Sequence, residues 1–280
     1  MMHLVMILMA ISLAWFVRSQ WSGPRGNWLE RWERAIFLFL FPPLLLMMTA
    51  IAVLYMGPLE RIVEILLGWF SYSLCFGFLV WSGVLCFQLA SKGWKTLRKT
   101  RTYHKRKIKG IQVRILNIDA LFTAQIGFWQ PELAISEGLL QKLDVAHLEA
   151  VLAHEQAHYY YRDTFWFFWL GWVSQITAWL PNTEALWQEL LILRELRADA
   201  KAAQQVDPLL LAESLLMVVS VLPVPSESFC AALSAVAPPN RLNERVEALL
   251  SAPLSPPSTT WQSWIWLLFV LLPLITVPFH

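Results

Sequence analysis

Two histidines four residues apart, His154 and His158, bracket Glu155 in the pentad HEQAH. On a helix that spacing puts both imidazoles on one face, a turn apart, where they can reach a single ion while Glu155 projects to the side. The set suits zinc, with the histidines as ligands and Glu155 as the base for a water that the ion acidifies to a pKa of about 7. A surface helix with two unrelated histidines is the rival reading. It fits poorly, because the neighbouring residues are apolar and unpaired polar groups among them would be costly. A catalytic zinc also wants a third protein ligand and an open position. Downstream lie Asp163, Glu184, Glu189, Glu195 and Asp199. The stretch RELRADA is the best source, since Glu195 and Asp199 are again four apart. Glu195 suits the metal, and Asp199 can accept a hydrogen bond from a ligand histidine and fix its tautomer. The alternative is an exposed helix whose acids pair with Arg194 or Arg197. Asp163 is a lesser candidate for the supporting role. His147, seven before His154, shares the face but lies two turns away, too far to join the ion.

These residues need elements to position them. Asp144 is the expected N-cap of the HEQAH helix, whose apolar face is Val145, Leu148, Val151 and Leu152. Before it, IQVRILNI (111–118), ALFTAQIGF (120–128) and PELAIS (131–136) read as short strands. After the break at Pro181 and Asn182, residues 183–205 read as a helix carrying RELRADA, and LNERVEALL as another. Together they make a domain over 111–250. The tract APLSPPSTT marks a linker at 251–260.

The rest of the chain is built for lipid. Of its 280 residues 57% are hydrophobic and only 15% charged, and the mean hydropathy is +0.48. That is too apolar for a soluble globule, which carries about a quarter charged residues. Expected transmembrane helices cover about 2–17, 35–56 (kinked at Pro42 and Pro43) and 65–90, forming a membrane domain over 1–90, with a fourth at 261–279. Residues 165–180 are too short and polar for a full span and suit a re-entrant or interface-lying helix. The first segment has neither a basic start nor a cleavage site, so a signal peptide is disfavoured. Nine cations and no acid lie between Lys92 and Lys109. Directly beside a span, this basic segment (91–110) reads as a topology determinant touching anionic lipid rather than a nucleic-acid site. With Arg18, Arg25, Arg31 and Arg34 it places the N-terminus outside and the region from 91 to 260 in the cytoplasm. Three cysteines make no disulfide framework.

The ordered motifs LAISEGLLQKLDVAHLEAVLAHEQAHYYYRD, WLPNTEALW and ELRAD resemble the integral-membrane gluzincins of the BlaR/MecR type, and are similar to the related HtpX type. Three leading spans and WLPNTEALW favour the former. ELRAD and PPNRLNERVEALL also resemble the latter, whose matching stretch has a histidine where this chain has Ala237. The resemblance implies a mainly α multi-pass membrane protein with a cytoplasmic zincin-like α+β domain. It also implies a zinc metalloendopeptidase with His154, His158 and Glu195 as ligands, Glu155 as general base, and one Zn2+ as cofactor. ALFTAQIGF would be the sheet edge above the cleft. Arg245 would contact substrate or the oxyanion, or form a structural salt bridge. BlaR/MecR proteins typically carry an outer penicillin-binding sensor; nothing follows Phe279 but His280, so β-lactam sensing is not expected. The expected partners are a protein or peptide substrate and membrane lipid, with no nucleic acid, and a homodimer is compatible with this. Regulatory cleavage of a repressor-like protein leads, ahead of membrane-protein quality control and a non-proteolytic scaffold or zinc sensor. Tyr159, Tyr160 and Tyr161, just before the aromatic run, would lie at headgroup level.

Overall fold

Apolar runs dominate the first hundred residues, and they form three long helices in the computed structural model, which describes residues 2–57, 65–220, 241–251 and 264–279. These are α1 (Met2–Ser19), α2 (Trp28–Met56) and α3 (Ile65–Arg101). All three are long and apolar enough to cross a membrane. Asn27 caps α2 through a reciprocal capping box with Glu30. The helix continues through Pro42 and Pro43. Four strands follow, β1 (Lys105–Ile108), β2 (Ile111–Leu116), β3 (Thr123–Ile126) and β4 (Glu132–Ser136). Next come α4 (Glu137–Lys142), α5 (Val145–Tyr160), α6 (Asp163–Ile176), α7 (Thr183–Ala202), α8 (Pro208–Ser220), α9 (Leu242–Leu250), α10 (Trp266–Val270) and α11 (Leu272–Ile275). The fold is mostly helical with one small mixed sheet.

The chain divides into two compact units, and α3, α6 and α7 supply residues to both. The first comprises Met1–Phe87, Gly171–Leu190 and Pro257–His280. Here α1 packs on α2, around a core that includes Ala10, Ala14, Phe41, Leu45, Leu180 and Val270. The second comprises Gln88–Leu170 and Leu191–Pro256 and holds the sheet. Its strand order is β1-β2-β4-β3, with β2 and β4 parallel and the other pairs antiparallel. The period of two sorts the strand residues between the two faces. Val113, Leu133 and Ile135 pack with Leu139, Val151 and Leu152 on one face. Leu116, Ala124, Ile126 and Ala134 pack with Leu97 on the other. The opposite side of α5 buries Ala150 and Ala153 against Ala202, Leu211, Leu215 and Leu249. The helix that carries HEQAH is therefore enclosed by a sheet and by helices.

Several expectations change. The third apolar segment does not stop at 90 but runs as helix to Arg101, and the basic segment then continues into β1. Lys109 and Gly110 join β1 to β2 with φ of 47° and 88°, the backbone that a two-residue hairpin turn requires. Arg18 is not a loop cation; it lies inside α1 and is fully buried. Val145 is exposed, while Leu148, Val151 and Leu152 do face the sheet. The α6 helix has 14 residues, about 21 Å at 1.5 Å per residue, too short to cross a bilayer alone. Of the closing segment, expected as one helix over 261–279, the described residues 264–279 form two short helices and a 3-10 turn at Val277–Phe279. Pro273 and Pro278 each remove an N–H from the ladder there. Helix α8 was not anticipated, although Asp207 accepts a hydrogen bond from Leu209 N at 2.8 Å ahead of a proline in the first turn. Cys75 and Cys86 are free thiols. Most of the 251–260 linker, together with Cys230 and Ala237, lies outside the described residues.

Candidate metal centre

Asp144 caps α5 by accepting from His147 N at 2.9 Å, which starts the helix so that His154 and His158 fall on one face. Their Nε2 atoms converge to 3.0 Å. From α7, Glu195 brings Oε2 to 3.4 Å from His154 Nε2 and Oε1 to 3.6 Å from His158 Nε2. Among the described residues these three form the group able to hold a metal ion, with ligand atoms within 4.8 Å of one another. A tetrahedral zinc with bonds near 2.1 Å holds its donors about 3.4 Å apart, so the spacing fits.

The outer ring nitrogens support the same conclusion. His158 Nδ1 lies 2.7 Å from Asp163 Oδ2. His154 Nδ1 lies 2.8 Å from Asp199 Oδ1, close but not aligned as a hydrogen bond. Protons on the Nδ1 atoms leave lone pairs on both Nε2 atoms. Two such lone pairs and a carboxylate facing one another require positive charge between them. Burial disfavours charged imidazole, but Asp199 and Glu195 outweigh it and raise the pKa of His154. Glu195 and Asp163 do the same for His158, pushing it up to about 10. The residues thus fit a divalent cation, which meets this demand without the protons.

Arginines hold the carboxylates ionised. Burial raises the pKa of Glu195, but Arg194, His158 and Arg245 together hold it well below the usual range. Arg194 donates to Glu195 Oε1 through Nε at 3.0 Å and Nη2 at 2.7 Å, with its guanidinium 4.7 Å from the Phe167 ring centre. Arg245 on α9 binds Asp199 bidentately at 2.7 and 2.8 Å and sits 3.3 Å from Glu195 Oε2. Burial likewise opposes ionisation of Asp199, and Arg245 and His154 overcome it. Asp163 is held by Arg197 at 2.5 Å.

Of the other sequence candidates, His147 stands apart, 2.7 Å from Asp144 and 3.5 Å from Glu213. Glu184 accepts from Gln188, and Glu189 pairs with Arg31 at 2.7 Å, both in the first unit. Arg245, expected at the substrate or in a salt bridge, is buried and engaged by the carboxylates of Asp199 and Glu195. Glu155 is buried, and among the described residues its carboxylate makes no hydrogen bond. Sequence reasoning missed Gln125 on β3, whose Nε2 donates to the Glu155 carbonyl at 3.2 Å. A polar residue at a buried strand position was the available signal.

A small mixed sheet, an HExxH helix and a carboxylate from a following helix are the arrangement of a metallopeptidase. Residues 106–222 match the family model described as Peptidase family M48, which indicates a metallopeptidase and includes the three converging residues. The match covers less than half of the chain. No curated protein and no solved structure matches it.

Proposed function

We propose that this chain is a membrane-bound zinc metalloendopeptidase, with His154, His158 and Glu195 holding the ion and Glu155 as general base. The convergence of two imidazole nitrogens and a buried carboxylate around a demand for positive charge carries this reading. When bound, zinc acts as a Lewis acid that acidifies water to a pKa of about 7 and polarises a peptide carbonyl. Glu155 takes the proton of the attacking water and returns it to the leaving amine. Asp163 and Asp199 orient the histidines, and Arg194 and Arg245 keep Glu195 ionised. Strand β3 is one of the two edges of the sheet, and Gln125 ties it to α5. An extended peptide adding to that edge would be recognised by its backbone.

The basic residues flanking the apolar helices support a catalytic domain on the cytoplasmic face. The substrate we favour is a cytoplasmic regulator of the repressor kind, on the resemblance of the motif set. Edge-strand recognition has little sequence selectivity, and it favours membrane-protein quality control as the second reading.

Glu155→Ala should lower peptide hydrolysis about 10²–10⁴-fold while zinc stays bound. A phenotype that persists in this variant would point to a scaffold or zinc sensor. Glu195→Ala should abolish stoichiometric zinc, and unchanged tight zinc would remove the third ligand. Accumulation of one soluble protein in Glu155→Ala cells supports regulation, whereas accumulation of many membrane proteins supports quality control.

A further inference from the structure

A cavity of about 510 Å³ opens in the second unit between the end of α5, the start of α6, the end of α7 and the loop after β3. Its lining includes two cations, Arg162 and Lys201, and no carboxylate. Lys201 Nζ lies 4.9 Å from the centre of the Tyr160 ring and 3.3 Å from Gln204 Oε1, both neutral partners. Arg162 is exposed and has no side-chain partner among the described residues. It holds φ at 53°, a left-handed turn that ends α5 and that arginine rarely adopts. Gln156 and Thr164 add neutral hydrogen-bonding groups to the wall. A pocket with two cations and no acid is built for an anion.

The rim says where that anion comes from. Trp129 is 68% exposed and Tyr160 67% exposed. Trp129 stacks on Phe165 at 4.9 Å, in the first turn of α6, where Trp166 is also exposed. Gly127, with φ of 138° and its missing Cβ only 2.9 Å from Pro131, lets the loop fold tightly enough to present Trp129. Exposed amphipathic rings grouped around cations are the composition that settles at the headgroup level of a bilayer.

We propose that this cavity binds the phosphate group of an anionic phospholipid, with Arg162 and Lys201 on the phosphate and Trp129 and Tyr160 against the glycerol region. None of His154, His158 and Glu195 lines the cavity, although Gln156 and Ala157 of HEQAH do.

The test uses full-length protein in a neutral detergent, with native mass spectrometry counting retained short-chain phosphatidylglycerol or phosphatidylcholine. The wild type should retain phosphatidylglycerol preferentially. Arg162→Asn combined with Lys201→Gln should reduce that preference about thirtyfold, the scale set by removing two cations near a membrane surface. Asparagine tolerates the left-handed turn, so the helix end is kept. Unchanged zinc stoichiometry in the double variant checks its fold. Lys142→Gln, which removes a cation outside the cavity, should change nothing. Equal retention of the two lipids by the wild type, or preference kept by the double variant, overturns the proposal. So does displacement of the lipid by millimolar inorganic phosphate, which would make a soluble phosphate the ligand.

Discussion

Arg18 and Arg245 are both buried, one in each unit, and they are held in opposite ways. Arg245 sits among charges, bidentate to Asp199 and close to Glu195. Arg18 sits among neutral groups. It donates to Thr183 Oγ1 at 2.8 Å, to the Phe39 carbonyl at 3.0 Å and to Thr177 Oγ1 at 3.2 Å, with its guanidinium 5.0 Å from the Phe39 ring centre. The Phe39 carbonyl is no ordinary acceptor. Its helical partner would be the N–H of residue 43, which is proline, so the carbonyl is orphaned and Arg18 satisfies it. In return Asn182, in the turn before α7, donates to the Arg18 carbonyl at 3.1 Å. In the metal centre the guanidinium balances charge. In the first unit it repairs a backbone broken by proline.

The comparison breaks most visibly at Arg245. Arg245→Met removes the bidentate partner of buried Asp199 and leaves it only His154, and breaking a buried ion pair in this way costs about 3–5 kcal/mol. Because Asp199 orients His154, zinc affinity should fall about 10–100-fold as well. Thermal unfolding in detergent and a competitive zinc titration measure the two effects. Adding Asp199→Leu should recover stability but not affinity, since the charge imbalance is gone while the histidine has lost its orienting group. Recovery of both would mean that Asp199 does not act through His154.

Arg18→Met should cost less, about 1–3 kcal/mol, because it strands neutral oxygens rather than a charge. A cost above that of Arg245→Met would overturn the contrast. Pro43→Ala sharpens it, since alanine restores the N–H that the Phe39 carbonyl lacks. In that background the penalty of Arg18→Met should shrink by about 1 kcal/mol, the net value of one hydrogen bond. An unchanged penalty would mean that Arg18 is not serving the broken ladder.

What could be read beforehand follows the range of the interactions. The grouping of His154 and His158 is set by helical periodicity alone. The i, i+4 step from Glu195 to Asp199 likewise put both on one face, and the structure brings that face to the histidines. Strands β2, β3 and β4 were visible in alternating residues, and the Asp144 cap in its residue type. Arg18 was misread because hydropathy treats any arginine beside a span as a loop charge, whereas its partners lie 21, 159 and 165 residues away. Gln125 was missed for the same reason, since its role depends on tertiary neighbours rather than spacing. Arg194, named beforehand as a partner for these acids, does pair with Glu195. The closing segment failed on length, because an apolar count overlooks what Pro273 and Pro278 do to a helix.

The smallest effect belongs to an arginine pair near the surface of the sheet, which calibrates the two buried ones. Glu132 on β4 accepts from Arg114 at 2.6 Å and from Arg101 at 2.7 Å. Arg101 is 45% exposed, so water screens much of the attraction. Partial burial raises the Glu132 pKa, but its hydrogen bonds and charge contacts with Arg114 and Arg101 outweigh that and lower it overall. A folded-state pKa below the unfolded value adds stability that is complete above the unfolded pKa, about 4.3, and is lost as pH falls through the folded value. Glu132→Gln should therefore cost about 0.2–1 kcal/mol at pH 7, and the difference from wild type should close as the solution is acidified below pH 4. High salt should also shrink it at pH 7. The same salt should leave the Arg245→Met penalty nearly intact, because that charge is out of the reach of counterions. Equal salt sensitivity in the two variants would show that the Arg245 network is solvated, and the contrast between paired and unpaired buried arginines would lose its basis.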